Sequence, residues 1–162
     1  MGTLIKSISF QNFYNYYGSY EDNTYTFTEG INIINADNNM GKSKFYNGFL
    51  WILRDEVYDS DEKKYYPVSA SYFKMMSAKA RYESVELEMG VRVIFENDGI
   101  TYNVCKSVIC TKQEDDWAYQ ARTDVMKTEG DSDLPILDKD EKLAAIRCLI
   151  PAEMEKYSLL QG

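Results

Sequence analysis

The chain contains no histidine in its 162 residues. Histidine is the commonest general base and metal ligand, so its absence argues against triad hydrolases and zinc enzymes. Cysteine is scarce: Cys105, Cys110 and Cys148 only. An odd number of thiols, with no charged-then-apolar leader at the start, predicts a reducing, cytoplasmic setting. Cys105 and Cys110 differ in parity, so on one strand they face opposite sides and read as structural rather than metal-binding. There is no run of about 18 apolar residues, so no membrane span is expected. Lys6 stands where a myristoylated Met-Gly start needs Ser or Thr. Positive charge is also short, with 18 Lys and Arg against 26 Asp and Glu and a net charge of −8. Such a chain is a poor stand-alone nucleic-acid binder unless basic residues cluster locally.

What the sequence does have fits one globular domain, with 44% hydrophobic residues. The 14 tyrosines read as core and surface aromatics before any binding role. Residues 4–10 alternate apolar and polar, and residues 24–28 carry β-formers; both predict strands. Residues 31–35 are short and apolar, as a buried strand should be. Residues 42–53 form a helix whose Phe45, Phe49 and Ile52 fall at i, i+4 and i+7 on one face. Residues 55–66 are charged and read as loop, and residues 69–80 as one helix. Val85, Leu87, Met89, Val91, Val93 and Phe95 alternate with polar residues. After the turn signal Asn97-Asp98-Gly99, residues Ile100, Tyr102, Val104, Val108 and Cys110 alternate again. This predicts a long antiparallel hairpin. Residues 117–126 add a strand, residues 129–133 a loop, and Asp140 an N-cap for a helix through residue 149.

The chemistry concentrates in INIINADNNMGKSKFYNGFLW, residues 31–51. An apolar strand leads into a loop ending in Gly41-Lys42-Ser43, and an amphipathic helix follows at once. A phosphate-binding loop needs that context. Its backbone N–H groups form an anion cradle at the positive end of the helix. Here the cradle runs from Asn38 to Ser43; Lys42 reaches the β- and γ-phosphates, and Ser43 holds Mg²⁺. Ala36 and Asn39 replace glycines of the usual pattern. Ala36 is the smallest substitute, and asparagine tolerates the left-handed region. Met40 faces no steric bar. Ala36, Asn38, Asn39, Met40, Gly41, Lys42, Ser43 and Lys44 are therefore the candidate nucleotide-binding residues.

The first 53 residues resemble the opening of the Rad50, SMC and RecF group of ABC-type ATPases. The matches are Asn12-Phe13, Asn15-Tyr16, Phe27, Gly30, Asn32, Ile34, Asn38 and Gly41-Lys42-Ser43. The stretch VELEMGVRVIFENDGITYNVCKSV is similar to the hairpin after the loop helix in Rad50-like heads, especially those of DNA-phosphorothioation and phage-defence proteins. IPAEMEKYSLLQG resembles the segment ending in the Q-loop. That likeness makes Gln161 the glutamine that contacts Mg²⁺ and the attacking water. The resemblance implies an α/β fold, a P-loop NTPase of the ABC head type with an antiparallel β subdomain beside the loop strand and helix. It implies ATP and Mg²⁺ as cofactors, with Lys42 and Gln161 in catalytic roles and Ser43 and Gln161 on the metal. It also implies a C-terminal lobe, a second head, DNA and an accessory nuclease or defence subunit as partners. Tyr14 stands where such proteins often carry Arg or Lys, which puts one charged nucleotide contact in doubt; Tyr14 or Tyr16 reads either as a ring to stack on adenine or as a solvated turn residue.

No Walker B Asp-Glu pair and no Ser- and Gly-rich signature occur. The expectation is an N-terminal lobe over residues 1–162, inactive in hydrolysis by itself, because positioning and electrostatics supply most phosphoryl-transfer catalysis. Two other readings stand beside it. One is a different P-loop enzyme such as a kinase or GTPase, for which the later Asp and an N-K-x-D base reader are missing. The other is an interaction domain with a decayed loop, against which the retained Lys42 and Ser43 count.

Overall fold

The computed structural model describes residues 3–27 and 39–149, with side chains of the first long helix described from Lys44 onward. The chain begins with strand β1 (Thr3–Gln11) and a short β2 (Thr24–Thr26), followed by helix α1 (Asn39–Arg54). A small hairpin, β3 (Glu56–Asp59) and β4 (Lys64–Pro67), leads to two short helices, α2 (Tyr72–Met75) and α3 (Ala78–Glu83). Four long or edge strands follow: β5 (Glu86–Asn97), β6 (Ile100–Gln113), β7 (Asp116–Glu129) and β8 (Ser132–Ile136). Helix α4 (Lys139–Arg147) comes last. Six strands make one sheet in the order β2-β1-β5-β6-β7-β8, and every pairing is antiparallel. The architecture is α/β with a mostly antiparallel sheet. The strand expected over residues 31–35 lies outside the described residues.

The expected hairpin forms as β5 and β6, with Val93 opposite Val104. Asp98 and Gly99 both adopt positive φ, 52° and 82°, as a two-residue turn matched to strand twist requires. Leu87, Met89, Val91, Val93 and Phe95 are buried, as are Val104, Val108 and Cys110 on the facing strand. Val85, expected to start the series, stands outside it, 73% exposed. Helix α1 lies across this face and buries Phe45, Phe49 and Ile52 together with Leu50 and Trp51. Each such side chain contributes about 1.5–3 kcal/mol of hydrophobic stabilisation. Phe10 sits at the centre, stacked on Tyr16 at 4.2 Å and edge-on to Phe45 at 5.5 Å.

Four local expectations are corrected. Residues 55–66 are not loop but carry the β3–β4 hairpin, where Val57 is buried and Asn47 ties β3 to α1. Residues 69–80 are not one helix. Met76 turns extended (φ −65°, ψ 137°) between α2 and α3, because it bridges Phe13 while Ser77 N–H donates to the Asn12 carbonyl at 2.8 Å. The cap of α4 is Asp138, not Asp140. The Asp138 carboxylate accepts from Glu141 N–H at 3.1 Å, and Asp140 lies inside the first turn. Residues 129–133 are partly strand, since β8 starts at Ser132 beyond a turn at Gly130.

Candidate functional site

Helix α1 opens at Asn39, so Gly41, Lys42 and Ser43 occupy its first turns, and no acidic residue lies in the first turn. A helix start without carboxylates favours a bound anion, because the unpaired N–H groups and the dipole leave positive charge there. Of Asn39, Met40, Gly41, Lys42 and Ser43 the helical backbone is described. Ala36, Asn38 and Gln161 lie outside the described residues. Lys44 is the first of the expected site residues whose side chain is in view. It is half-buried, with Nζ 5.7 Å from the centre of the Tyr14 ring.

Tyr14 is the unusual residue of this region. Its φ is +52°, which a bulky residue rarely adopts. The conformation is fixed from three sides. Its N–H donates to the Met75 carbonyl at 2.6 Å, its ring packs edge-on against Phe13 at 4.7 Å, and its hydroxyl accepts from Asn47 Nδ2 at 3.4 Å. Burial first, and the Asp59 charge after it, push the Tyr14 phenol up to about 12, against the Asn47 hydrogen bond. An off-pattern dihedral so fully over-determined points towards function. The ring stands between two cavities, of about 500 Å³ and 540 Å³, and Lys44 borders both. Tyr16, by contrast, has a ring face covered by Phe10. Of the two tyrosines raised for base stacking, Tyr14 alone borders these cavities.

The first cavity has its floor on α1 and its wall on the β3–β4 hairpin. Asn47, buried on α1, uses both ends of its amide on the hairpin backbone: Oδ1 accepts from Tyr58 N–H at 2.7 Å and Nδ2 donates to the Tyr58 carbonyl at 3.0 Å. Asp59 is held in turn. Its Oδ1 accepts from the N–H groups of Asp61 and Glu62, and its Oδ2 takes the Lys74 ammonium at 3.1 Å. The Glu62 amide, and next Lys74, hold the Asp59 carboxyl below its ordinary value. Sequence reasoning missed Asn47, Asp59 and Lys74. Asn47 carried no signal, since it lies on the side of the helix opposite the arc of Phe45, Phe49 and Ile52.

The Asn12-Phe13 pair after β1 has structural work. Asn12, at φ +49°, donates to the Glu88 carbonyl and accepts from Gly18 N–H, which closes the turn over residues 12–18. Phe13 is wholly buried. Cys105 and Cys110 do face opposite sides: Cys110 is in the core, and Cys105 shares a hydrogen bond with the Tyr20 hydroxyl at 3.2 Å. Among the described residues no group of three or more His, Cys, Asp or Glu is placed to hold a metal, and no helix is long and apolar enough to cross a membrane.

Helix α1 thus carries Gly-Lys-Ser in its first turns and lies over an antiparallel sheet, beside a cavity that Tyr14, Lys44 and Asn47 help to line. The family model described as AAA domain matches residues 7–156, and the chain belongs to that family, whose ATPases occur in SMC/Rad50-like proteins. A search of curated proteins returns no match.

Proposed function

We propose that this chain is the N-terminal ATP-binding lobe of an SMC/Rad50-like ATPase head. The observation that carries the reading is the placement of Gly41-Lys42-Ser43 in the first turns of α1, within a chain of the AAA family. In it, Ala36, Asn38, Asn39, Met40 and Gly41 would shape the anion cradle, and Lys42 would neutralise the terminal phosphates. The Ser43 hydroxyl and Gln161 would hold Mg²⁺. Mg-ATP supplies the anhydride whose cleavage drives the cycle.

Lys44 and Tyr14 would border the bound nucleotide, with the Tyr14 ring as the aromatic face for its base. Asn47 keeps that wall in place by fixing Tyr58 and reaching the Tyr14 hydroxyl. The Walker B pair and signature absent from this sequence would come from a C-terminal lobe and a second head. ATP-driven engagement of two heads would then gate action on DNA, in repair, chromosome maintenance or phage defence, with an accessory nuclease or defence subunit as partner. The lobe alone would bind ATP and hydrolyse it negligibly.

The test is a thermal melt with and without Mg-ATP, on wild type and Lys42→Ala. A ligand that binds only the native state stabilises by about 2.7 kcal/mol at a hundredfold excess over Kd. The expected result is a rise of several degrees in wild type, lost in Lys42→Ala, with equal melting of the two ligand-free proteins. No shift in wild type, with the C-terminal lobe supplied, overturns the reading.

A further inference from the structure

The second cavity beside Tyr14, about 540 Å³, runs along α2 and α3 and inverts the charge of the chain. Four cations line it, Lys44, Lys74, Lys79 and Arg81, and no carboxylate does so among its described lining residues. The protein carries a net charge of −8, so this groove is a local exception. Asp59 takes up Lys74, and the Glu83 carboxylate stands at the rim, where it accepts from the Tyr17 hydroxyl. Three of the cations sit on aromatic rings. Lys79 Nζ is 4.4 Å from the Tyr17 ring centre, the Arg81 guanidinium 4.1 Å from Phe73, and Lys44 5.7 Å from Tyr14. Phe73 is 51% exposed, and Arg81 is held beside it by donating to the Phe73 carbonyl at 2.9 Å.

Cations alone would suit any polyanion. Cations set on rings that stay partly exposed suit one whose charges alternate with flat π faces. Bases stack on aromatic rings and on guanidinium planes, and each stacked base contributes about 1–3 kcal/mol. A duplex keeps its bases stacked on one another and offers no free π face along its length. We infer that the Tyr17–Phe73–Lys79–Arg81 groove binds single-stranded nucleic acid, its phosphates on Lys79 and Lys44 and its bases on Phe73 and the Arg81 plane. The inference deepens the DNA-acting reading above by naming the form of the nucleic acid and the face that takes it. It rests on that reading for the assembly the strand would reach.

The experiment measures fluorescence anisotropy of a labelled oligothymidine of about twenty nucleotides, longer than one strand-binding domain occludes, against the full chain at several salt concentrations. The oligothymidine is expected to bind at least about tenfold more tightly than a duplex of equal length, and inorganic polyphosphate is expected to compete poorly, as follows if stacking contributes. The affinity should fall with salt with a log–log slope of about −1.4, near 0.7 for each of the two phosphates on Lys79 and Lys44. Lys79→Ala should weaken binding and reduce the magnitude of that slope by about 0.7. Phe73→Ala should weaken single-strand binding by about tenfold and leave the slope unchanged. Phe73→Leu keeps apolar cover for Arg81 without a π face, and the same loss there carries the result if the alanine variant unfolds. No binding at low salt, equal binding of duplex or polyphosphate, or full binding by Phe73→Leu overturns the inference. A Mg-ATP melt shift that persists in those cases shows that the nucleotide reading survives and this one alone has failed.

Discussion

Lys106 is buried in the middle of β6, yet its ammonium reaches the end of α1. It donates to the Asp55 carboxylate at 2.9 Å and to the Trp51 carbonyl at 3.2 Å. Asp55, at φ +55°, is the residue that terminates the helix, and its N–H returns to the same Trp51 carbonyl. A cation at the C-terminal end of a helix complements the dipole. The sheet therefore grips α1 at the end opposite Gly41-Lys42-Ser43. Lys106→Met should lower stability by about 1–2 kcal/mol, the scale of a charged hydrogen bond net of its desolvation. The Asp55 side chain is 62% exposed, so its share is smaller. A double-mutant cycle with Asp55→Ala, read by urea unfolding, should give a coupling of about 0.5–1 kcal/mol; additive losses would show that the pair holds nothing.

Gly48 lets α1 settle onto β1. A Cβ there would lie 2.5 Å from Phe10 Cε1, and Phe10 is wedged against Phe13, Tyr16 and Phe45. Alanine would gain about 0.5–1 kcal/mol in helix propensity. Overpacking costs about 1–3 kcal/mol, so the net sign for Gly48→Ala is destabilising. ATP affinity should fall with it, because the shift begins less than two turns from Ser43. A variant more stable than wild type in a melt would show that the Phe10 ring moves aside freely.

Asn47→Ala removes both partners of the Tyr58 backbone. Buried N–H and C=O groups left unpaired cost about 1–3 kcal/mol. The expected result is that loss in unfolding free energy, with faster hydrogen exchange at Tyr58 and a several-fold weaker response to Mg-ATP. Unchanged exchange at Tyr58 would mean that the hairpin needs no anchor on α1.

Alkaline pH should unfold the protein through its buried acids. Burial pushes the Tyr14 phenol and the Cys110 thiol up to about 12 each, and drives Tyr16 and Tyr20 upward as well. A folded pKa above the unfolded value means that the folded state keeps its proton longer. Stability is then complete below the ordinary values, 9.0 for the thiol and 10.0 for the phenols, and is lost as pH rises through about 12. Tyrosinate absorbance should rise in two phases. Exposed members of the 14 tyrosines ionise near their ordinary value, and the remainder ionise together with loss of the circular dichroism of the fold. A single phase near the ordinary value would contradict the burial of Tyr14, Tyr16 and Tyr20.

The parts legible in the sequence were those where one face decides the pattern. β5 and β6 alternate because one side of each is core, and the Asp98-Gly99 turn has chemistry of its own. Phe45, Phe49 and Ile52 disclosed the buried arc of α1 for the same reason. The β3–β4 hairpin was hidden because Val57 is its single wholly buried side chain, and the order comes from Asn47, eleven residues earlier than Tyr58. The break at Met76 was hidden because local propensity favours helix there, while the bridge to Phe13 comes from the far side of the chain. Lys106 breaks an otherwise apolar alternation, and nothing local reveals that a helix end waits above it. At the candidate site, Gly-Lys-Ser was visible as a motif, but Tyr14 between two cavities was a matter of backbone geometry.

The turn after β1 and the break between α2 and α3 are joined by main-chain bonds: Tyr14 N–H to the Met75 carbonyl, and Ser77 N–H to that of Asn12. Such bonds use no side chain, although Asn12 and Tyr14 hold positive φ to make them. The buried side chains at the seam, Phe13, Met75 and Met76, are fixed by the core, but those on the rim are not. Mutational drift can therefore replace Tyr17, Phe73, Lys79 or Arg81 while the floor beneath them keeps its shape. The groove is a socket with exchangeable pins, whose rim can change without reshaping its floor.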